Sequence, residues 1–483
     1  MRRALLPLLV ALAAGCTVGP DYVRPDIDTP EHWRVPVTEA EAIANTDWWR
    51  AFGDPVLDAL IAEALQNNRD LRIAAARVDE YAAYLGITRS EFFPQLGYGA
   101  GASRREAGAD VPGGASGDLF EATLNLGWEI DLWGRIRRAS EAARADLLAA
   151  EASRHAVILT LTAAVATGYV QLRNLDRQLE IARETVESRA QSVRLFELKF
   201  RGGVISELEL AQVRSEYEQA AVRVPSLERQ IALQENALSV LLGRNPGPIE
   251  RGKPADGLHL PPVPAGLPAD LLTRRPDVQA AEQVLISANA RIGVARARYL
   301  PTISLTGVFG QASDELGALF DSGANHWSIG AGILGPLFTG GRVRSEVAAS
   351  EAIQRQMLER YLAAIQTAFR EVDDALVSVA RRRDELAARG RQVAALRMYA
   401  QKARARYNEG YVSYIEVLDA ERRLFDTELL EVQARADLYA ALVSLYKAMG
   451  GGWSAMPPAP NPPGETEPAT TAPVSPKDDP TGT

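Results

Sequence analysis

Leu119-Phe120-Glu121-Ala122-Thr123-Leu124-Asn125-Leu126-Gly127-Trp128-Glu129-Ile130-Asp131-Leu132 alternates without a break. Phe120, Ala122, Leu124, Leu126, Trp128, Ile130 and Leu132 fall on one face, and Glu121, Thr123, Asn125, Gly127, Glu129 and Asp131 fall on the other. A period of two marks a strand with apolar surroundings on one side and water on the other. The run is longer than a typical soluble strand and suits a tilted membrane strand between lipid and an aqueous lumen. Leu96–Ser103, before a Gly-rich loop, reads as its hairpin partner. Ile303, Leu305, Gly307 and Phe309, then Trp327, Ile329, Ala331 and Ile333, repeat the theme more weakly. Four strands cannot close a lumen, and an open sheet edge in hydrocarbon would leave amides without partners. Several chains are therefore expected to build one barrel.

Around these hairpins lie unusually long helical patterns. Short amphipathic helices are expected over Asp54–Asn67 and Asp70–Ser90, the second closed by Pro94. Ile136–Arg201 holds no proline and only Gly168, and Val343–Glu409 is interrupted only by Gly390. At 1.5 Å per residue each would extend about 100 Å. Return helices are expected over Glu207–Leu242, bent at Pro225, and Tyr414–Met449. Ala, Leu and Val recur at three- and four-residue spacing opposite Arg, Glu and Gln, the pattern of close antiparallel coiled-coil packing. A helix of that length has no place in a compact domain and must line a tube or a fibre.

One offset, 207 residues, runs through the chain. Asp70 pairs with Asp277, Pro94 with Pro301, and Gly134-Arg135-Ile136-Arg137 with Gly341-Arg342-Val343-Arg344. Phe200, Gly203 and Ser206 pair with Tyr407, Gly410 and Ser413, and Leu242-Gly243 with Met449-Gly450. The chain is read as two copies of one unit. The expected divisions are a leader (1–15), an anchored extended segment (16–53), copy one (54–243), a linker (244–268), copy two (269–450) and a disordered Pro-rich tail (451–483).

The net charge of −9 argues against nucleic acid as a partner, since phosphate neutralisation needs a basic stripe. No apolar run reaches the length of a spanning helix, so any membrane crossing is expected to use strands. Arg2 and Arg3 precede an apolar stretch, Ala4–Ala14, too short to span a bilayer, and small residues lead into Cys16, the sole cysteine. Leu12-Ala13-Ala14-Gly15-Cys16 resembles a bacterial lipobox, with Ala13 where Leu is usual. It marks Cys16 as the acylated N-terminus, and Thr17 stands where an aspartate would signal inner-membrane retention. Several acyl chains hold firmly, since each buried methylene contributes about 0.8 kcal/mol.

The motifs Cys16-Thr17-Val18-Gly19-Pro20-Asp21-Tyr22 with Arg24-Pro25 and Trp33, Trp48-Trp49 with Phe52, Asp54 and Pro55, Pro336-Leu337-Phe338-Thr339-Gly340-Gly341-Arg342, and Gly450-Gly451-Gly452-Trp453 form a specific set. Over roughly Cys16–Trp453 the chain resembles the TolC-like outer membrane factor family, in its lipoprotein branch with the NodT-type channels of resistance-nodulation-division pumps. The resemblance implies an α+β membrane protein: a homotrimer whose twelve strands, four per chain, form an outer-membrane barrel continuous with a periplasmic helical barrel. It also implies a periplasmic membrane-fusion adaptor protein and an inner-membrane resistance-nodulation-division transporter as partners, with outer-membrane lipid around the barrel.

Two helical turns, Arg201-Gly202-Gly203-Val204-Ile205-Ser206 and Asn408-Glu409-Gly410-Tyr411-Val412-Ser413, would then be adaptor-facing tips. Gly202, Gly203 and Gly410 suit helix ends, and Ser206 and Ser413 suit N-caps. The resemblance places Tyr407, Glu416 and Asp419 at a periplasmic gate, with six carboxylates ringing the trimer's aperture and favouring cations. Glu416 and Asp419 are three residues apart and so share a helix face. Val412 stands where the best-known member of that family has an arginine that helps lock the gate.

No catalytic chemistry is expected. His32, His155, His259 and His326 are scattered without metal-ligand spacing, and no cofactor is expected. Gly330-Ala331-Gly332-Ile333-Leu334-Gly335 satisfies GxGxxG, but Pro336 follows and no βαβ unit surrounds it. The expected function is a passive efflux duct for small molecules. A protein-secretion duct of the same fold, or a structural coiled-coil lipoprotein, are the alternatives.

Overall fold

The computed structural model describes residues 17–30, 32–35, 47–106, 117–261, 263 and 271–453. The leader, Cys16 and the tail beyond Trp453 lie outside the described residues. Copy one consists of α1 (Pro55–Asn67), α2 (Arg69–Ser90), β1 (Gln95–Arg105), β2 (Gly117–Ile130), α3 (Arg135–Arg201) and α4 (Glu207–Leu241). Copy two has a short helical turn at Leu271–Arg274, then α5 (Pro276–Ala297), β3 (Thr302–Ser313), β4 (Asn325–Leu334), α6 (Arg342–Asn408) and α7 (Tyr414–Ala448).

The bounds of α2, α3 and α4 recur as those of α5, α6 and α7 at a displacement of 207 residues. The correspondence reaches individual contacts. Asn68 Nδ2 donates to the carbonyl of Leu241 at 2.9 Å, and Arg275 Nη1 donates to the carbonyl of Ala448 at 3.1 Å. Gly243 crowds Asn67 as Gly450 crowds Arg274, and both glycines have positive φ. A side chain at either position would meet a backbone carbonyl.

The two 67-residue helices, α3 and α6, extend about 100 Å each. Near the sheet the helices run side by side in the order α2, α3, α5, α6. Away from the sheet the order is α4, α3, α7, α6, so α6 forms one edge of the protomer along its whole length. Gly168 lets α4 cross close to α3: a Cβ there would lie 2.8 Å from Leu238, and the Gly168 carbonyl accepts from Gln234 Nε2 at 2.9 Å. α4 continues through Pro225 as one helix.

Two expectations need correction. The strand read as Leu119–Leu132 ends at Ile130, because Asp131 turns to cap α3, accepting from the N–H groups of Ile136 (3.0 Å) and Arg137 (2.9 Å). By length and composition α3 does contain a stretch apolar enough to cross a membrane. More than half of that stretch is buried, however. Its Ile158, Leu161, Val165, Tyr169 and Leu172 pack in the main core with Trp48, Trp49, Phe52 and α1.

That core is fastened by a buried carboxylate. Asp54 caps α1 through Val56 N (3.0 Å) and accepts the Tyr169 hydroxyl at 2.7 Å and Lys253 N at 3.0 Å. The Tyr169 oxygen in turn accepts from Gly252 N at 2.9 Å. Burial, and then the Asp54 carboxylate, push the Tyr169 hydroxyl above its ordinary pKa, so it stays protonated and donating.

Candidate functional site

The four strands form one antiparallel sheet in the order β1-β2-β3-β4. Directly paired residues share a face, so the register sorts every side chain. Leu124 pairs with Tyr98 on one side and Phe309 on the other, and Phe309 pairs with Trp327. Leu126, Ile130, Ile303, Ile329 and Ile333 lie on that same apolar face. The opposite face carries Glu121, Thr123, Asn125, Ser304 and Thr306 on the inner strands. On the outer strands the middle of that polar face is glycine: Gly97, Gly99 and Gly101 on β1, between Gln95 and Ser103, and Gly330 and Gly332 on β4, between Ser328 and Leu334. Inner-strand side chains lean over these glycines. A Cβ at Gly101 would come within 3.0 Å of Glu121, and one at Gly330 within 3.0 Å of Thr306. Among the described residues, the outer edges of β1 and β4 have no strand partner.

Where the sheet turns into α3, polar and aromatic groups tie strands to helices. Arg135 bridges Glu129 (2.9 Å) and Glu91 (2.8 Å), Trp128 Nε1 donates to the Phe92 carbonyl (2.9 Å), and Trp133 Nε1 donates to Pro301 O (2.7 Å). The N-terminal segment starts at this junction. Val18 N donates to Trp133 O at 3.1 Å, and Thr17 rests on Gly134. The segment then follows α5. Arg138 pairs with Asp21 at 2.6 Å, Asn289 donates to Pro20 O at 2.9 Å, and Glu282 accepts from Tyr22 and Arg24.

At the other end, the helical tips differ between copies. Gly203 and Gly410 both adopt positive φ, +69° and +83°, and turn the chain between long helix and return helix. Ser206 forms a full capping box: its Oγ accepts from Glu209 N at 3.3 Å, and Glu209 Oε2 accepts from Ser206 N at 2.8 Å. Ser413 occupies the same position, but its side chain makes no cap bond, contrary to expectation. Glu416, the repeat partner of Glu209, leaves the box and lines a groove with Gln212, Ser215, Asp419 and Arg422. It has no ion pair among the described residues. Asp419, by contrast, is bridged within α7 by Arg422 (2.9 Å) and Arg423 (3.0 Å). Sequence reasoning missed these partners, although cations three and four residues on were a legible signal. Tyr407 packs against Tyr414 (4.8 Å) and Phe196 (6.5 Å), and its hydroxyl accepts from Lys199 Nζ at 3.0 Å. This bond links α3 to α6 directly.

The comparisons agree with this geometry. The outer membrane efflux protein family matches residues 60–244 and again residues 267–451, a displacement of 207 at both ends. The cation efflux system protein CusC of Escherichia coli O6:H1 is 37% identical over 457 residues, covering 93% of this chain and 98% of that protein. The toluene efflux pump outer membrane protein TtgF of Pseudomonas putida is 38% identical over 465 residues, covering 93% and 96%. The crystal structure of the open state of the Neisseria gonorrhoeae MtrE outer membrane channel matches with a TM-score of 0.83 at 32% identity, over 91% of this chain and 99% of that one. Such channels are trimers with a strand domain on a helical tunnel, and they are not enzymes. Matched in both copies and over nearly its whole length, the chain belongs to the outer membrane efflux protein family and serves as the outer-membrane component of an efflux system.

Proposed function

We propose that this chain forms a passive duct for small molecules, lipid-anchored at Cys16 and coupled to an adaptor protein and a resistance-nodulation-division pump. The observation that carries the reading is one open-edged sheet, apolar on one face and glycine-rich and polar on the other, continuous with helices about 100 Å long. Hydrocarbon leaves no water to satisfy the outer amides of β1 and β4, so they must pair with sister chains. Relatives named for cation and toluene efflux favour small cargo over polypeptide. Purified protein in a planar bilayer should give discrete conductance steps, and complete absence of current under every condition would refute the duct.

The anchor reading is supported by the position of Thr17, which rests on Gly134 at the strand-to-helix junction. Acyl chains on the preceding residue would enter the bilayer there. The tips Gly202-Gly203-Ser206 and Gly410-Ser413 lie where the two 67-residue helices that start beside the sheet end, and suit contact with the adaptor. For the gate, the freed Glu416 carboxylate and the Lys199–Tyr407 bond support control at α7 and α6 in place of an arginine where Val412 stands. Arg422 and Arg423 offset Asp419, so the aperture is less negative than six bare carboxylates would make it. Glu416→Ala with Asp419→Ala should lower the cation-to-anion permeability ratio and weaken block by multivalent cations; reversal potentials unchanged from the parent would remove the assignment.

A further inference from the structure

We infer that Glu121 is a second selectivity-determining residue of the duct, acting inside the strand barrel and independently of the gate at the helical end. The inference rests on the trimeric duct proposed above. It adds a residue that favours cations over anions where cargo leaves.

The sheet register isolates this carboxylate. Among strand residues that share the polar face with Thr123 and Asn125, only Arg105, Glu121 and Glu129 are charged, and His326 is the one imidazole. Glu129 is bridged by Arg135 at 2.9 Å. Arg105 stands at the last pair of β1 and β2, opposite Gly117. Four residues of strand, about 13 Å, separate it from Gly101. Asp118 lies on the opposite face and pairs with Arg104 at 3.5 Å. Glu121 is flanked by Gly101 on β1 and Ala312 on β3, and has no ion pair among the described residues. Its carboxylate leans over bare backbone, since a Cβ at Gly101 would come within 3.0 Å of Oε1. The side chain is exposed, so its charge acts on whatever fills the bore. Because β2 is paired on both sides, by β1 and β3, that charge keeps its place whether the helical end is open or closed.

Closure of the barrel sets the size of the effect. Twelve strands about 4.8 Å apart and tilted by about 40° give a backbone radius of about 12 Å. Three glutamates reaching inward then hold their carboxylates about 8 Å from the axis. In 10 mM salt the screening length is about 30 Å, and such a ring raises the cation concentration on the axis about sevenfold. In 1 M salt the screening length is about 3 Å and the enrichment falls to about 1.2-fold. At the proposed gate Arg422 and Arg423 offset Asp419, whereas Glu121 has no such partner. A duct charged in this way suits cationic and neutral cargo and slows anionic cargo at its last stage.

Reversal potentials in planar bilayers test the assignment, recorded at pH 8, where imidazoles are ordinarily uncharged. The background is Glu416→Ala with Asp419→Ala, which removes the gate carboxylates. Across a threefold potassium chloride gradient starting at 10 mM, Glu121→Gln should lower the cation-to-anion permeability ratio severalfold, and Glu121→Lys should lower it further. Both effects should nearly vanish in gradients starting at 1 M. Where Glu121→Lys assembles poorly, the nearly isosteric Glu121→Gln carries the test. Equal ratios in conducting channels with and without the Glu121 carboxylate overturn the inference and leave the duct standing. An effect undiminished at 1 M also overturns it, because a change of barrel shape would then be responsible. Absence of conductance steps in every protein, including the parent chain, overturns the duct itself.

Discussion

Replacing Ser206 or Ser413 with alanine makes equivalent changes in sequence and unequal ones in the structure. Ser206→Ala deletes the hydroxyl that accepts from Glu209 N and the Oγ that contacts Glu209 Oε2 at 3.0 Å. Loss of an N-cap serine costs about 1 kcal/mol, which for a local opening equilibrium is about a fivefold change. Ser413→Ala deletes a side chain that makes no cap bond, so its cost should be near zero. Amide hydrogen exchange read by mass spectrometry reports such local opening directly. The first turn of α4 should exchange about fivefold faster in Ser206→Ala, and the first turn of α7 at the parent rate in Ser413→Ala. Equal acceleration of both turns would refute the asymmetry, and with it the argument that Glu416 is released from capping for another use.

Three further outcomes are expected. Hydrogen bonds from Ser206 backbone and hydroxyl hold the Glu209 carboxylate below its ordinary 4.5. A depressed acid stabilises fully above its unfolded value and loses that contribution as pH falls through the lowered one, so protection of the α4 first turn should persist through neutral pH and fade only below about pH 4.5, while α7 shows no matching loss. Tyr169→Phe removes the donor to Asp54 and strands Gly252 N, a loss of about 1.5–3 kcal/mol for a bond to a charged group; a thermal midpoint equal to the parent's would show that the network does not hold the core. Cys16→Ser should abolish labelling by radioactive palmitate, and persistent label would place the acyl group elsewhere.

Much of this architecture was legible because its periodicities are strong. The 207-residue offset recovers the bounds of α4 and α7 to within one residue, and alternation in β2 sorts the sheet faces before any register is known. What escaped was set by contacts across long stretches of chain. Nothing near Asp54 in sequence announces Tyr169 or Lys253 as its partners, and nothing near Glu282 announces Tyr22. The strand end at Ile130 was missed because Asp131 continues the alternation in letters while its carboxylate is committed to capping α3. At the tips, identical cap residues in the two copies gave no hint that only Ser206 would close its box.

The glycines of β1 and β4 have a consequence for cargo. At the height of Gly97, Gly99 and Gly101 on β1 and of Gly330 and Gly332 on β4, Glu121, Asn125, Ser304 and Thr306 stand only on the middle strands, so in the proposed trimeric duct the bore would widen there toward each place where chains meet. The cross-section at that height would be three-lobed, and a bulky solute riding in a lobe would pass along backbone with few side chains to snag it.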